Sequence, residues 1–424
     1  MKEDFIAYIW KFQSFSKKNL RTLQEEEVHV LSVGQENKNS GPDFFNSQLI
    51  IGNQKWAGNV ELHVKSSDWY VHGHEKDENY DSVILHVVWE QDVDIYRKDK
   101  VLLPTLELKK YVNKEVQQNY QKLFMGSRKW INCENIISKV DHFVLDNWFE
   151  RLYVERLEQK SKLISELLMN SKNDWEVVLF KLLAKNFGLK VNGNAFFDWA
   201  NSMNFNIIRR QQHDLEGLEA LFFGQANLLK DTIEDSYYLV LQKEYDYIKS
   251  KFNLIDRLGE RFQFFRLRPN NFPTVRLAQL AALYNQHQNL FSKLIETTEL
   301  KEFYALFDIS VSAYWKIHYS FTAKSKKSAK KITKAFVDLL LINTIIPLKF
   351  MYLKQLGKLS VEELIHMVRE IKSEKNNIIN KFNDLKIRSK NALESQALIQ
   401  LKSEYCAKQK CLQCNIGNSI ITSL

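Results

Sequence analysis

The residues best suited to chemistry lie in Ser40-Gly41-Pro42-Asp43 and, further on, Glu61-Leu62-His63-Val64-Lys65. Asp43 precedes one strand-like segment and Glu61 lies inside the next, so a hairpin between them brings two carboxyl groups together. Strand side chains alternate, which puts Glu61, His63 and Lys65 on one face and Val60, Leu62 and Val64 on the other. Convergent carboxylates suit Mg²⁺ or Mn²⁺, hard ions that prefer oxygen. Such an ion generates a nucleophile from water and offsets charge developing at a phosphate. His63 or Lys65 would orient the water or stabilise the transition state. The plainer reading is a Pro-Asp turn followed by a solvent-facing strand.

His63, His72, His74 and His86 lie close together, interleaved with Asp68, Asp77 and Asp81. His72-Gly73-His74 can offer two imidazoles to one Zn²⁺ or Mn²⁺. The same pair could flank the carboxylates and touch a substrate phosphate. His86 sits between apolar residues and also reads as a core histidine. No signature spacing such as His-Glu-x-x-His fixes the choice.

The chain has four cysteines, too few for a disulfide framework of this size. Three form Cys406-x4-Cys411-x2-Cys414, and Cys133 is distant. Four thiolates complete a zinc site or an iron–sulfur cluster. The spacing with one remote cysteine matches an iron–sulfur pattern, except that the remote residue comes first. A site using all four would tie the C-terminal segment to the first domain. The alternative is a set of unligated thiols, with Cys133 a small buried hydrophobe.

Two basic features follow. Residues 324–334, KSKKSAKKITK, are lysine-rich with no acid. A helix there would align Lys327, Lys331 and Lys334 along a phosphate backbone, or simply present a solvated face. Arg266, Arg268 and Arg276 surround Pro269 and Pro273. They are candidates for bidentate phosphate contacts, or for carboxylate pairs between helices.

The elements that must position these groups change character along the chain. After an opening helix, residues 27–33, 45–51, 55–65, 81–90 and 102–108 have strand character, with Gly52-Asn53 as a hairpin turn. From about Tyr111 the period is helical: Leu145, Phe149, Tyr153, Leu157, Ile164 and Leu168 recur at helical spacing. Similar patterns cover 175–187, 235–252, 273–295, 360–371 and 391–405. The expected class is α+β, a small mixed β-sheet domain over 1–110 followed by a large all-α region over 111–424. The cysteine triplet should pack back on the first domain.

The chain has 424 residues, 45% hydrophobic, with five prolines and 13 glycines. That composition excludes collagen-like, linker-rich and mostly disordered chains. A formal net charge of +9 permits nucleic acid as a partner without requiring it. The longest apolar run, 336–353, is broken by Asp338, Asn343, Pro347 and Lys349. It reads as a buried helix ending near Pro347 rather than a membrane span. A cytoplasmic, reducing setting and no membrane partner are therefore expected. Oligomeric state is not encoded in any pattern found.

The order helix, three strands, connection, strand, with Pro42-Asp43 before the second strand and Glu61 in the third, resembles the PD-(D/E)xK nuclease superfamily. That resemblance implies a restriction-endonuclease-like fold and Mg²⁺-dependent endo- or exonuclease chemistry on DNA or RNA. His63 stands where that superfamily has lysine. The segments SGPDF, GNVELH, SSDWYVHGH, VILHVV, residues 266–276 and residues 406–417 also resemble the bacterial domain-of-unknown-function family 2851, which implies no activity. Two other functions stay open: a non-catalytic nucleic-acid-binding or scaffold protein with a degenerate nuclease fold, and a zinc-dependent hydrolase using His63, His72, His74 and His86.

Overall fold

Alternation of apolar and polar residues, and the turn at Gly52, set up the sheet at the start of the chain. The computed structural model describes residues 2–124, 129–256 and 259–423. Helix α1 (Glu3–Lys11) leads into β1 (Val28–Ser32), β2 (Gln35–Glu36), β3 (Phe44–Ile51) and β4 (Gln54–Lys65). A short helix α2 (Asp68–Val71) then precedes β5 (Val83–Glu90) and β6 (Thr105–Glu107). The sheet order is β1-β3-β4-β5-β6, with β2 also pairing with β3.

β3 and β4 form an antiparallel hairpin around Gly52, whose φ of +58° suits glycine. β4 and β5 are parallel, with Glu61 opposite His86 and His63 opposite Val88. β6 continues the parallel half. Every residue of β5 before Glu90 is buried, as a strand covered on both faces requires. At Gly58 the neighbouring strand comes so close that an added Cβ would stand 2.4 Å from Ile84 Cγ2 and 2.7 Å from the Ser82 carbonyl oxygen.

One face of the sheet carries Leu49, Val60, Leu62, Leu85 and Val87 against Phe5, Ile6, Ile9 and Trp10 of α1. Tyr120 and Leu123 of α3 (Lys114–Phe124) and Ile421 of the last helix join the same core. For that reason the expected boundary at 110/111 is displaced. The compact sheet unit comprises residues 1–148, 381–387 and 400–424, and the helical unit comprises 149–380 and 388–399. Apolar surface on α3 and on the C-terminal helix has to be covered, and the sheet core is where it is buried.

The helical unit contains Trp175–Phe187, Leu189–Asn201, Leu215–Gln225, Ser236–Phe252 and Pro273–Gln286 among its helices. The pattern over 273–295 is two helices, because His287 is extended and Asn289 has φ of +52° before Leu290–Glu296. Pro347 does not end its helix. The helix runs over Lys334–Gln355, with a π turn at Leu341–Ile345 just before the proline. The π turn sits where the proline ring would otherwise clash with the preceding turn. This helix is long and apolar enough to cross a membrane by length and composition, yet 67% of its apolar window is buried.

Residues 325–333 are not helical, so the expected single lysine face does not form. Lys330 is drawn inside instead, donating to the carbonyls of Trp315 (2.5 Å) and His318 (2.8 Å) and to Ser325 Oγ (3.1 Å). Lys331 points elsewhere and pairs with Asp308 at 2.7 Å.

Candidate metal and catalytic centre

The site is assembled within the sheet unit from β3, β4, β5 and the loop after α2. Asp43 immediately precedes β3, with Pro42 buried before it. Its amide donates to Glu61 Oε2 at 3.1 Å, and Asp43 Oδ2 accepts from the Leu62 amide at 3.0 Å. The hairpin thus holds the carboxyl groups of adjacent strands in a fixed, reciprocal arrangement. Glu61 is 5% exposed and His63 1%, so this part of β4 is not a solvent-facing strand.

After β4 the chain turns through α2 to His72 and Gly73. Gly73 has φ of +74°, and a Cβ added there would meet no atom within 4 Å. Its backbone conformation, not crowding, is what calls for glycine: the left-handed residue turns the chain between His72, which is exposed, and His74, which faces Glu61. His74 Nε2 lies 3.3 Å from Glu61 Oε1, and His63 Nε2 lies 3.6 Å from the same oxygen. His63 Nε2 meets His72 Nδ1 at 3.1 Å, and His63 Nδ1 meets His86 Nε2 at 2.8 Å. Ring nitrogens of His63, His72 and His74 all lie within 4.8 Å of one another. Tyr80 stacks on His74 at 3.7 Å, and Trp69 stands edge-on to His74 and tilted against His86.

Electrostatics follow from burial. Burial raises the Asp43 carboxyl, and the charge of Glu61 raises it further. Burial likewise raises Glu61. Burial depresses His63, and the neighbouring imidazoles add to that. Burial also pulls His86 down to about 3 and lowers His74. Burial thus favours the neutral form of His63, His74 and His86, the form that ligates metals. Among the described residues no lysine or arginine pairs with Asp43 or Glu61; the partners of Glu61 Oε1 are imidazoles. His74 Nε2 is buried without a hydrogen-bond partner among the described residues, despite its closeness to Glu61. An orphaned ring nitrogen beside two carboxyl groups and two further imidazoles fits a divalent ion. The mixed nitrogen and oxygen donor set suits Mn²⁺ or Zn²⁺ better than Mg²⁺.

Not every candidate joins this centre. Lys65 is exposed at the end of β4, where its charge is felt by Asp92. Glu3 of α1 belongs to no motif, yet its charge reaches both Asp43 and Glu61. Its sequence signal is weak: it stands beside Asp4 in the first turn of a helix whose middle, residues 5–10, is apolar.

The four cysteines also come together within the sheet unit. Cys133, Cys406, Cys411 and Cys414 line one cavity with Leu123, Leu401 and Ile416. Cys133 is raised by burial and then by Cys406, Cys414 and Cys411, while burial pushes Cys406 up to about 12 and Cys414 up to about 11. Asn132 Nδ2 donates to Cys411 Sγ at 3.5 Å, and the Gly417 and Ile416 amides face Cys414. N–H groups aimed at sulfur favour thiolates and tune bound metals. Gly417 is needed here, since an added Cβ would lie 2.1 Å from the Cys411 carbonyl oxygen. Residues 401–406, which end on Cys406, form a π turn.

The arginine candidates belong to the helical unit. Arg266 is exposed with φ of +62° and lies over Phe265 at 5.1 Å. Arg268 lies nearer the surface and Arg276 is buried, and both line one pocket. Among the described residues Arg276 is not paired with a carboxylate: its partners are Asn271 and Gln279.

A family model described as a protein of unknown function, DUF2851, matches residues 3–377. The match covers the carboxylate and histidine centre and Cys133, and stops before the cysteine triplet. No curated protein and no solved structure matches the chain.

Proposed function

The chain belongs to the DUF2851 family, and we propose that it is a metal-dependent phosphodiesterase acting on DNA or RNA. The observation that carries this reading is the reciprocal Asp43–Glu61 arrangement with the buried Nε2 of His74 beside it, 3.3 Å from Glu61 Oε1 and without a hydrogen bond among the described residues. Asp43, Glu61 and His74 would hold the ion, with His63 or His72 completing the set. A divalent ion at these residues supplies a nucleophile from water and offsets charge on the scissile phosphate.

The chain's own groups do the rest. Neutral His63 is fixed by His86 on one side and His72 on the other, with Glu61 Oε1 also 3.6 Å from its Nε2, so these are the groups with which it can exchange a proton. His72 is exposed and is the imidazole able to meet a leaving oxygen. Lys65 is not proposed as the substitute for the motif lysine, because it lies at the exposed end of the strand. Support for a PD-(D/E)xK-type centre comes from the order α1, β1, β3, β4, α2, β5, with Pro42-Asp43 before β3 and Glu61-x-His63 in β4.

A second reading keeps the same residues and changes the ion. The three clustered imidazoles favour a zinc-dependent hydrolase. Metal analysis of the purified protein separates the two: Zn²⁺ lost in His74→Ala but retained in Cys411→Ser supports the zinc enzyme. For the cysteines we propose a structural metal site, zinc or an iron–sulfur cluster, that pins residues 400–424 onto the sheet unit. The function is tested by incubating metal-loaded protein with single- and double-stranded DNA and with RNA. Divalent-dependent cleavage is expected. Salt-sensitive binding without turnover would instead make the chain a non-catalytic nucleic-acid-binding protein.

A further inference from the structure

The helical unit holds a positively charged pocket that the carboxylate centre does not explain. It has a volume of about 520 Å³, and no acidic residue lines it among the described residues. Ligand pockets span about 300–1,000 Å³, so it has room for a nucleotide-sized molecule and not merely for a lone ion.

Its charge comes from two depths. Arg276 is 7% exposed. Its guanidinium lies 3.7 Å from the centre of the Phe336 ring, and its Nη atoms donate to Gln279 Oε1 (2.9 Å) and Asn271 Oδ1 (2.7 Å). Those partners are neutral amides, and Arg276 Nε is buried without a hydrogen-bond partner among the described residues. Lys330, 6% exposed, gives its ammonium protons to two carbonyls and a hydroxyl, again without a carboxylate. At the mouth, the Arg268 side chain makes no hydrogen bond or ion pair among the described residues. Ser328 lines the same cavity and keeps a hydroxyl proton to donate.

Burying a cation without a counter-charge is costly, and buried charges are normally paired. Lys330 has its three protons satisfied by oxygen dipoles. Arg276 has not, and its planar group is held between an aromatic ring and two amides rather than against an acid. A guanidinium fixed in place, a second arginine free at the rim and a hydroxyl are the groups that recognise a phosphoryl oxyanion. We infer that this pocket binds the phosphoryl group of a small phosphorylated molecule, with Arg276 at its base and Arg268 closing on it from the rim. The inference stands on the helical unit alone and does not require the carboxylate centre to be a phosphodiesterase.

The test is isothermal titration of the intact protein, in resin-treated metal-free buffer, with inorganic phosphate and separately with a nucleoside monophosphate. Saturable one-to-one binding of at least one is expected. If only the nucleotide binds, the pocket also reads the organic moiety; if both bind equally, the phosphoryl group alone is recognised. Arg268→Ala, at a rim position that should not disturb folding, is expected to weaken binding about tenfold or more, the scale of one charge-assisted hydrogen bond. Arg276→Lys keeps the charge but loses the planar fork and should weaken it further. Absence of binding by both probes, or binding unchanged in Arg268→Ala and in a folded Arg276→Lys, overturns the inference. Because the buffer is metal-free, neither outcome depends on whether the protein cleaves nucleic acid.

Discussion

Asp43 and Glu61 hold each other in place: the Asp43 amide donates to Glu61 Oε2 at 3.1 Å, and the Asp43 carboxylate accepts from the amide next to Glu61 at 3.0 Å. One oxygen of each carboxyl group is spent on this clasp. Glu61 Oε1 is left facing His74 and His63. Glu61→Gln keeps an oxygen to accept the Asp43 amide but removes the charge. The protein should therefore stay folded, with an unchanged or raised melting temperature, since a neutral amide is less costly to bury. Turnover should fall by a factor on the order of 100 or more, the scale of a lost catalytic group. A melting temperature that drops sharply would show that the carboxylate is structural.

Asp43→Ala should behave differently. It removes the acceptor for the Leu62 amide, leaving a backbone donor unpaired beside the strand, at a cost of about 1–3 kcal/mol. Both stability and metal binding should decline together. Thermal unfolding with and without Mn²⁺ checks this: the wild type should gain stability from the ion and the variant should gain none.

His74 is the residue that distinguishes a mixed nitrogen–oxygen site from an all-oxygen one. His74→Ala should weaken Mn²⁺ or Zn²⁺ binding by about a hundredfold or more, since even outer contacts to a metal site are worth about 10–100-fold. Mg²⁺ binding should change far less. Equal losses for all three ions would show that His74 acts by packing against Tyr80 rather than by ligation.

The cysteine site makes a mechanical prediction. With the proposed metal at the four thiols, stripping it, or replacing Cys411 with Ser, would remove a cross-link between Cys133 and the C-terminal segment. Residues 400–424 should then become accessible to protease while the sheet survives. Iron and acid-labile sulfide in an anaerobic preparation mark a cluster, and zinc alone marks a single ion. Neither metal at the four thiols would leave them as unligated core residues.

A buried carboxyl in the helical unit gives a pH prediction. Glu219 is fully buried, bonded to Tyr237 and to Ser312 Oγ at 3.2 Å, and burial raises it to about 7. Its folded value lies above its unfolded one, so the folded state binds the proton more tightly. The associated stability is fully present below the unfolded value of about 4.3 and is lost as pH rises through about 7. The shift corresponds to at most about 4 kcal/mol. Glu219→Gln should be close to the wild type at pH 5 and more stable at pH 8, read by thermal denaturation. A difference that does not grow with pH would contradict it.

Much of the sheet is legible in the sequence because its signals are local. Alternation marks β3 and β4, Gly52-Asn53 marks their turn, and the unbroken apolar run of β5 marks a strand covered on both sides. The meeting of Asp43 with Glu61 follows from that hairpin alone. Glu3 is not legible, because its nearness to the site depends on how α1 lies across the sheet. Residues 324–334 mislead for a related reason: their lysines look solvated, but Lys330 finds three oxygen acceptors inside the unit and takes the chain with it. The end of the first unit is not legible either, because the apolar faces of α3 and of the last helix do not announce which core will bury them.

The central claim is that this centre hydrolyses phosphodiesters. Wild type and Glu61→Gln should be compared on labelled DNA and RNA with Mn²⁺, with Mg²⁺, with Zn²⁺ and with no added metal. Cleavage by the wild type that requires an added divalent ion, and is lost in the folded variant, is the predicted result. A folded, metal-loaded wild type that cleaves none of these substrates, or cleavage that persists in Glu61→Gln, would contradict it.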